Sequence, residues 1–138
     1  MKGELALNIY YAHHQWKYHT LIETYELELI KRYFPDSKIF NPSLDLTSVK
    51  LAYSSVERME EAIMEECLTE VEKSDILVFS SLDGCIGTGV YHEVMKAKEF
   101  GKLVFYIYHD QLYTSFSIAK RGDHVRTDRL YAIVEFMN

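Results

Sequence analysis

Apolar residues follow two different rhythms along this chain. Short, nearly continuous apolar runs, rich in β-branched and aromatic residues, occupy Leu5 to Ala12 (LALNIYYA), Ser37 to Phe40, Asp75 to Ser80 (DILVFS), Lys102 to Tyr108 (KLVFYIY) and Leu130 to Met137 (LYAIVEFM). Runs of this kind predict β-strands, and the most continuous of them predict strands covered on both faces. Between them the spacing turns helical. Tyr18 to Phe34 carries Leu21/Ile22, Tyr25, Leu29 and Tyr33 on one stripe before Pro35-Asp36 stops it, and Val56 to Lys73 sets Met59, Ile63, Cys67 and Val71 at four-residue steps among glutamates. Val90 to Phe100 repeats the pattern through Val90, Val94 and Ala97, with Gly101 placed to close that helix. Asn41-Pro42-Ser43 ends the second strand, and the stretch up to Ser55 reads as a loop. His109 to Arg129 is polar and basic, which predicts a long mobile loop.

Strands alternating with helices imply an α/β fold: one domain spanning 1–138, a flavodoxin/Rossmann-like three-layer sandwich with a mainly parallel five-stranded sheet ordered 2-1-3-4-5. In such a sheet the ligand site lies at the C-terminal strand ends, here Tyr10 to His14, Ser80 to Glu93, and His109 onward.

Composition narrows the class. With 138 residues, 48% hydrophobic and 26% charged, the chain suits one globular domain with one substantial core. A net charge of −6 argues against binding nucleic-acid polymers in general. The first residues lack a secretory apolar region and no run is long enough to cross a bilayer, so a cytoplasmic protein without membrane contact is expected. Cys67 and Cys85 form neither a disulfide framework nor a zinc site, and the histidines do not combine with other ligands at metal-binding spacing. No metal and no cofactor is expected.

The stretch with the most chemistry is Ser81 to Glu93 (SLDGCIGTGVYHE), between the central strand and a helix. Glycines there let the backbone turn and bring free N–H groups close to a ligand, and a helix N-terminus favours negative charge. Glu93, expected in or near the first helical turn, should therefore be ionised at neutral pH, which suits a nucleophile or an electrostatic stabiliser. The plain alternative is an ordinary glycine turn with an acidic dipole partner. His13 sits at a strand end, where ligand contact and a solvated loop position are both open. Trp16 reads as a base-stacking group or as a hydrophobic anchor at the start of the helix, and His92 points about 100° away from Glu93 around the helix.

Three segments resemble the nucleoside 2-deoxyribosyltransferase family and its relatives that hydrolyse deoxynucleoside monophosphates. They are Ile9-Tyr10-Tyr11-Ala12; Ser74-Asp75-Ile76-Leu77-Val78 leading to Leu82-Asp83-Gly84; and Gly89 followed by Glu93, Ala97, Gly101-Lys102 and Val104. The resemblance implies that Glu93 attacks the anomeric carbon of a deoxyribosyl group, that Tyr10 orients it, and that a base or water resolves the covalent intermediate. Asp83 is the candidate proton donor, with Glu66 as a second, beside the plain readings of Asp83 as a turn residue and Glu66 as a surface residue, and His13, Gly87, Thr88 and Gly89 are the candidate substrate contacts. It further implies a homodimer or larger homo-oligomer, for which Tyr18, Tyr25 and Tyr33 provide exposed aromatic surface.

Two positions depart from the family pattern: Gly87 and Cys67 stand where the family has aspartates, and a thiol with a reference pKa of about 8.5 does not replace a carboxylic acid. The competing readings are therefore a nucleotide-binding or sensing module without turnover, and a phosphoribohydrolase whose signature matches Gly87-Thr88 loosely. The basic stretch with Ser115 and Ser117 leaves nucleoside against nucleotide open.

Overall fold

A computed structural model describes residues 6–46, 56–120 and 131–136. Strands β1 (Asn8–Ala12), β2 (Lys38–Phe40), β3 (Ile76–Ser80), β5 (Leu103–Tyr108) and β6 (Gln111–Tyr113) form a sheet ordered β2-β1-β3-β5-β6. The first four run parallel to one another and β6 runs antiparallel to β5. A second sheet, β4-β8-β7, is antiparallel and uses β4 (Cys85–Ile86), β7 (Phe116–Lys120) and β8 (Ala132–Phe136).

The parallel part follows the order expected from the sequence, and the fifth position does not. A two-residue turn at His109-Asp110, with His109 at φ +56°, folds Gln111–Tyr113 back onto β5 and takes the edge expected for the last strand. The C-terminal strand pairs instead with β7 and β4, so the expected loop after His109 contains β6 and β7; its remainder, 121–130, lies outside the described residues. In the loop expected before Ser55, Asn41 caps a short helix, α2 (Pro42–Asp45), and 47–55 lie outside the described residues.

Strand alternation sends neighbouring residues of β1 to opposite cores. Tyr10 and Ala12 join Leu77, Phe79, Val104 and Tyr106 under helices α3 (Val56–Lys73) and α4 (Thr88–Glu99), which contribute Cys67, Val71, Val90, Val94 and Ala97. Ile9 and Tyr11 join Ile76, Val78 and Ile107 under α1 (Leu21–Tyr33), which contributes Leu29 and Ile30. The second sheet extends the first core through Ile86, Phe116, Ala132 and Val134. Helix α4 ends in a Schellman motif: Gly101, at φ +70°, donates its N–H to Lys98 O, and Lys102 donates to Ala97 O.

Helix α1 corrects the sequence expectation. Leu21, Ile22, Tyr25 and Tyr33 of the expected apolar stripe are exposed, with Leu21 at 87%, while Glu23 and Glu26 are buried. Burying a carboxylate requires partners, and the partners here come from the segment that precedes α1. A 3₁₀ turn, Gln15–Lys17, folds Lys17 inward, where its ammonium meets Glu26 at 2.9 Å. Among the described residues no helix is long and apolar enough to cross a membrane.

Candidate active site

Glu93 lies in the second turn of α4, on the face that packs against β1 and α3, and is 6% exposed. Tyr10, fully buried in β1 and stacked on Phe40, donates its hydroxyl to Glu93 Oε2 at 2.6 Å. The Cys67 thiol of α3 sits beside the same carboxylate and helps hold its pKa down. Three elements distant in sequence thus converge on one side chain.

Electrostatics overturn the expected ionisation of Glu93. Burial pushes its pKa up, the hydrogen bonds from Tyr10 and Cys67 pull against it, and the result is about 7. The helix dipole fades within the first turn, and Glu93 lies one turn further in, so desolvation dominates. Its neighbours stay protonated: burial and then the charge of Glu93 raise Tyr10 well above an ordinary phenol and push Cys67 up to about 12. Both are therefore donors to a carboxylate that changes charge near neutral pH.

Glu93 opens into a cleft of about 440 Å³. Its walls are His13, His14, Gln15 and Tyr18 from the β1–α1 connection, Pro42, the α3 residues Glu60, Ile63, Met64 and Cys67, and Gly87, Thr88, Gly89 and Val90 at the start of α4. No side chain caps α4, which leaves its first N–H groups facing the cleft end of the helix. Gly87 has an extended backbone that any residue adopts, and a Cβ on Gly89 would meet nothing within 4 Å, so Gly89 borders open space. A second depression, of about 600 Å³, runs beside α1 and α2, and its charged side chains, Glu28, Lys31, Arg32 and Asp45, are all exposed.

The candidate residues separate into groups. Tyr10 and Glu93 are bonded to each other, and Gly87, Thr88 and Gly89 line the cleft. His13 also lines it, but its ring is stacked on Tyr11 at 3.8 Å, with Nε2 2.7 Å from Glu23 and Nδ1 3.3 Å from Tyr11 O. Burial lowers its pKa while Glu23 raises it, and the balance is below the ordinary imidazole value. Asp83 stands apart. Together with Gly84 it forms a two-residue hairpin turn, closed by Leu82 N–H to Cys85 O at 2.8 Å and Cys85 N–H to Leu82 O at 3.1 Å, with positive φ at both central residues. That is the type I′ turn favoured by Asp-Gly; Asp83 is exposed there and is not among the cleft residues.

The residues not anticipated are those that hold the wall. Lys17 Nζ bonds Glu26, Ser80 Oγ at 2.8 Å and Ser81 O at 2.8 Å, while Ser80 and Tyr11 donate to Glu26. This network ties the segment carrying His13 to Tyr18 onto the end of β3. Glu23 adds a second tie by accepting from His19 N–H at 2.9 Å while Thr20 Oγ1 accepts from Glu23 N–H. The Thr20-x-x-Glu23 spacing of a capping box was a legible signal for it; Lys17 with Glu26 had none. Among the described residues no group of three or more His, Cys, Asp or Glu side chains is arranged to hold a metal ion.

No family model matches the chain, and no curated protein matches it. Among solved structures it is similar to a conserved protein from Enterococcus faecalis V583, with a TM-score of 0.56 and 25% identity over 77% of this chain. The match spans 65% of that protein's length, less than two thirds of it, and the likeness carries the α/β fold.

Proposed function

We propose that this chain cleaves or transfers the N-glycosidic bond of a (deoxy)nucleoside or nucleoside monophosphate, with Glu93 as nucleophile. The observation that carries the reading is the buried Glu93 carboxylate, oriented by Tyr10 at 2.6 Å and opening into a cleft of about 440 Å³ at the C-terminal end of the parallel strands. A flavodoxin/Rossmann-like, single-domain three-layer arrangement is part of the same reading, and the cores on both faces of the sheet support it.

In the first step a Glu93 oxygen bonds to the anomeric carbon as the C–N bond breaks, and the electron pair of that bond leaves with the base, which takes up a proton from solvent water. In the second step water or another base attacks that carbon and restores the Glu93 carboxylate. Both transition states carry oxocarbenium-like positive charge beside Glu93. That charge stabilises an anion which burial otherwise disfavours, so the carboxylate interacts more strongly in the transition state than in the empty site.

A screen of nucleosides and their monophosphates for released base, with and without an acceptor base, tests the activity. Quenching with a 2-fluoro-2-deoxy nucleoside should leave a sugar adduct on the peptide containing Glu93; turnover with an adduct on another carboxylate removes the assignment. A second reading, a binding module without turnover, is favoured by one observation: Cys67, with its thiol raised to about 12, offers little acidity to a departing base. That reading expects nucleoside binding with no base released. The exposed Leu21, Ile22 and Tyr25 support the further proposal that the chain self-associates.

A further inference from the structure

Several buried and half-buried tyrosines among the described residues spend their hydroxyls inside the protein. Tyr10 bonds Glu93, Tyr11 bonds Glu26, and Tyr106 bonds Ser81. Even the more exposed Tyr25 and Tyr33 are engaged, the first with Asp110 and the second as acceptor for Leu112 N–H. Tyr18 is different. It is half-buried in the wall of the cleft that holds Glu93, its ring rests against His13 at 5.0 Å, and its hydroxyl makes no hydrogen bond to another described residue.

We propose that Tyr18 is a second catalytic residue of this cleft, one whose hydroxyl donates a hydrogen bond to the bound nucleoside beside Glu93. This rests on the nucleophile reading above and adds a substrate contact that the motifs around Glu93 do not include. Three features support it. Tyr18 follows the 3₁₀ turn that Lys17 anchors to Ser80 and Ser81, so its backbone is held by a buried network. Its tilted contact with the His13 ring, itself bonded to Glu23, limits where the ring can go. Burial, followed by the charges of Glu93 and Cys67, raises its pKa above an ordinary phenol, so it remains a donor across the pH range in which Glu93 titrates. A half-buried donor without a protein partner gains most from a ligand acceptor.

Tyr18→Phe separates this from a packing role, because it keeps the ring and, with no hydroxyl partner to orphan among the described residues, leaves the fold intact. The expected result is an unchanged thermal midpoint, calorimetric affinity for the four common 2′-deoxynucleosides weaker by roughly three- to tenfold, and kcat/KM lower by at least that factor. If the wild type turns over and Tyr18→Phe equals it in both affinity and kcat/KM, the Tyr18 contact is wrong while the nucleophile reading stands. A fall in thermal midpoint that accounts for the loss also overturns the contact, since the hydroxyl would then be structural. If the wild type binds nucleosides but releases no base, the nucleophile reading fails; the contact is then judged on affinity alone, the same weakening upholding it and equal affinity overturning it. A wild type that binds neither these nucleosides nor their 5′-monophosphates overturns both, and where only the monophosphates bind, the same comparisons are made with them.

Discussion

Replacing Glu93 with glutamine should make the protein more stable, and the gain should depend on pH. Folding moves the Glu93 pKa from an ordinary 4.5 to about 7. The native state therefore holds that proton more tightly than the unfolded chain does. Below about pH 4.5 both states are protonated and the site costs nothing; as pH rises through 7 the native state must ionise a desolvated carboxylate, and stability contributed by the bound proton is lost. At about 1.4 kcal/mol per pH unit the loss is roughly 3 kcal/mol at pH 8. Glutamine keeps an acceptor for Tyr10 and never ionises, so it escapes the loss. With an unfolding entropy of about 2 cal/mol/K per residue, the chain's 138 residues convert this to a thermal midpoint roughly 10 °C above wild type at pH 8. The gap should close as pH falls to 4.5.

Differential scanning calorimetry of both proteins between pH 4.5 and 8.5 measures this directly. The informative quantity is the difference between the two curves, which cancels every other titrating group common to both. Parallel curves across the whole range would refute the reasoning, since they would mean that Glu93 titrates alike folded and unfolded. A variant less stable than wild type at pH 8 would refute it more strongly, by showing that the ionised carboxylate is net stabilising.

The same pKa shapes catalysis: kcat/KM should rise about tenfold from pH 6 to pH 8 and level off above, because only the ionised form attacks, and a falling limb centred near pH 7 would instead mark Glu93 as a proton donor. Tyr10→Phe removes a donor to the carboxylate, so the midpoint of that profile should move to higher pH, and an unmoved midpoint would deny Tyr10 its orienting role. Lys17→Met leaves the buried Glu26 charge without its ammonium and should destabilise by about 3–5 kcal/mol, read by urea denaturation, with Lys17→Met/Glu26→Gln recovering most of it. Gly89→Ala adds a methyl that meets no protein atom within 4 Å; it should raise stability by up to about 1 kcal/mol through helix propensity while weakening nucleoside binding, and unaltered binding would put the ligand away from the start of α4.

What could be read from the sequence, and what could not, divides along a physical line. The central parallel strands β1 and β3 were legible because a strand covered on both faces has little choice but to be apolar at almost every position, and Ile76–Ser80 is buried throughout. Helices α3 and α4 were legible because Cys67, Val71, Val90, Val94 and Ala97 do what helical spacing says they should. Helix α1 was not. Its buried face is set by pairings with Lys17, His13, Tyr11 and Ser80, side chains brought together only by the finished sheet, and no periodicity within the helix encodes a partner outside it. The misjudged charge on Glu93 has the same origin. Proximity to a helix N-terminus can be read along the chain, whereas desolvation depends on Tyr10 of β1 and Cys67 of α3 closing over the carboxylate. The exposed Leu21, Ile22 and Tyr25 then follow from the network and not from a failure of packing: once Glu23 and Glu26 must face inward to meet their partners, the geometry of the helix carries those apolar side chains out.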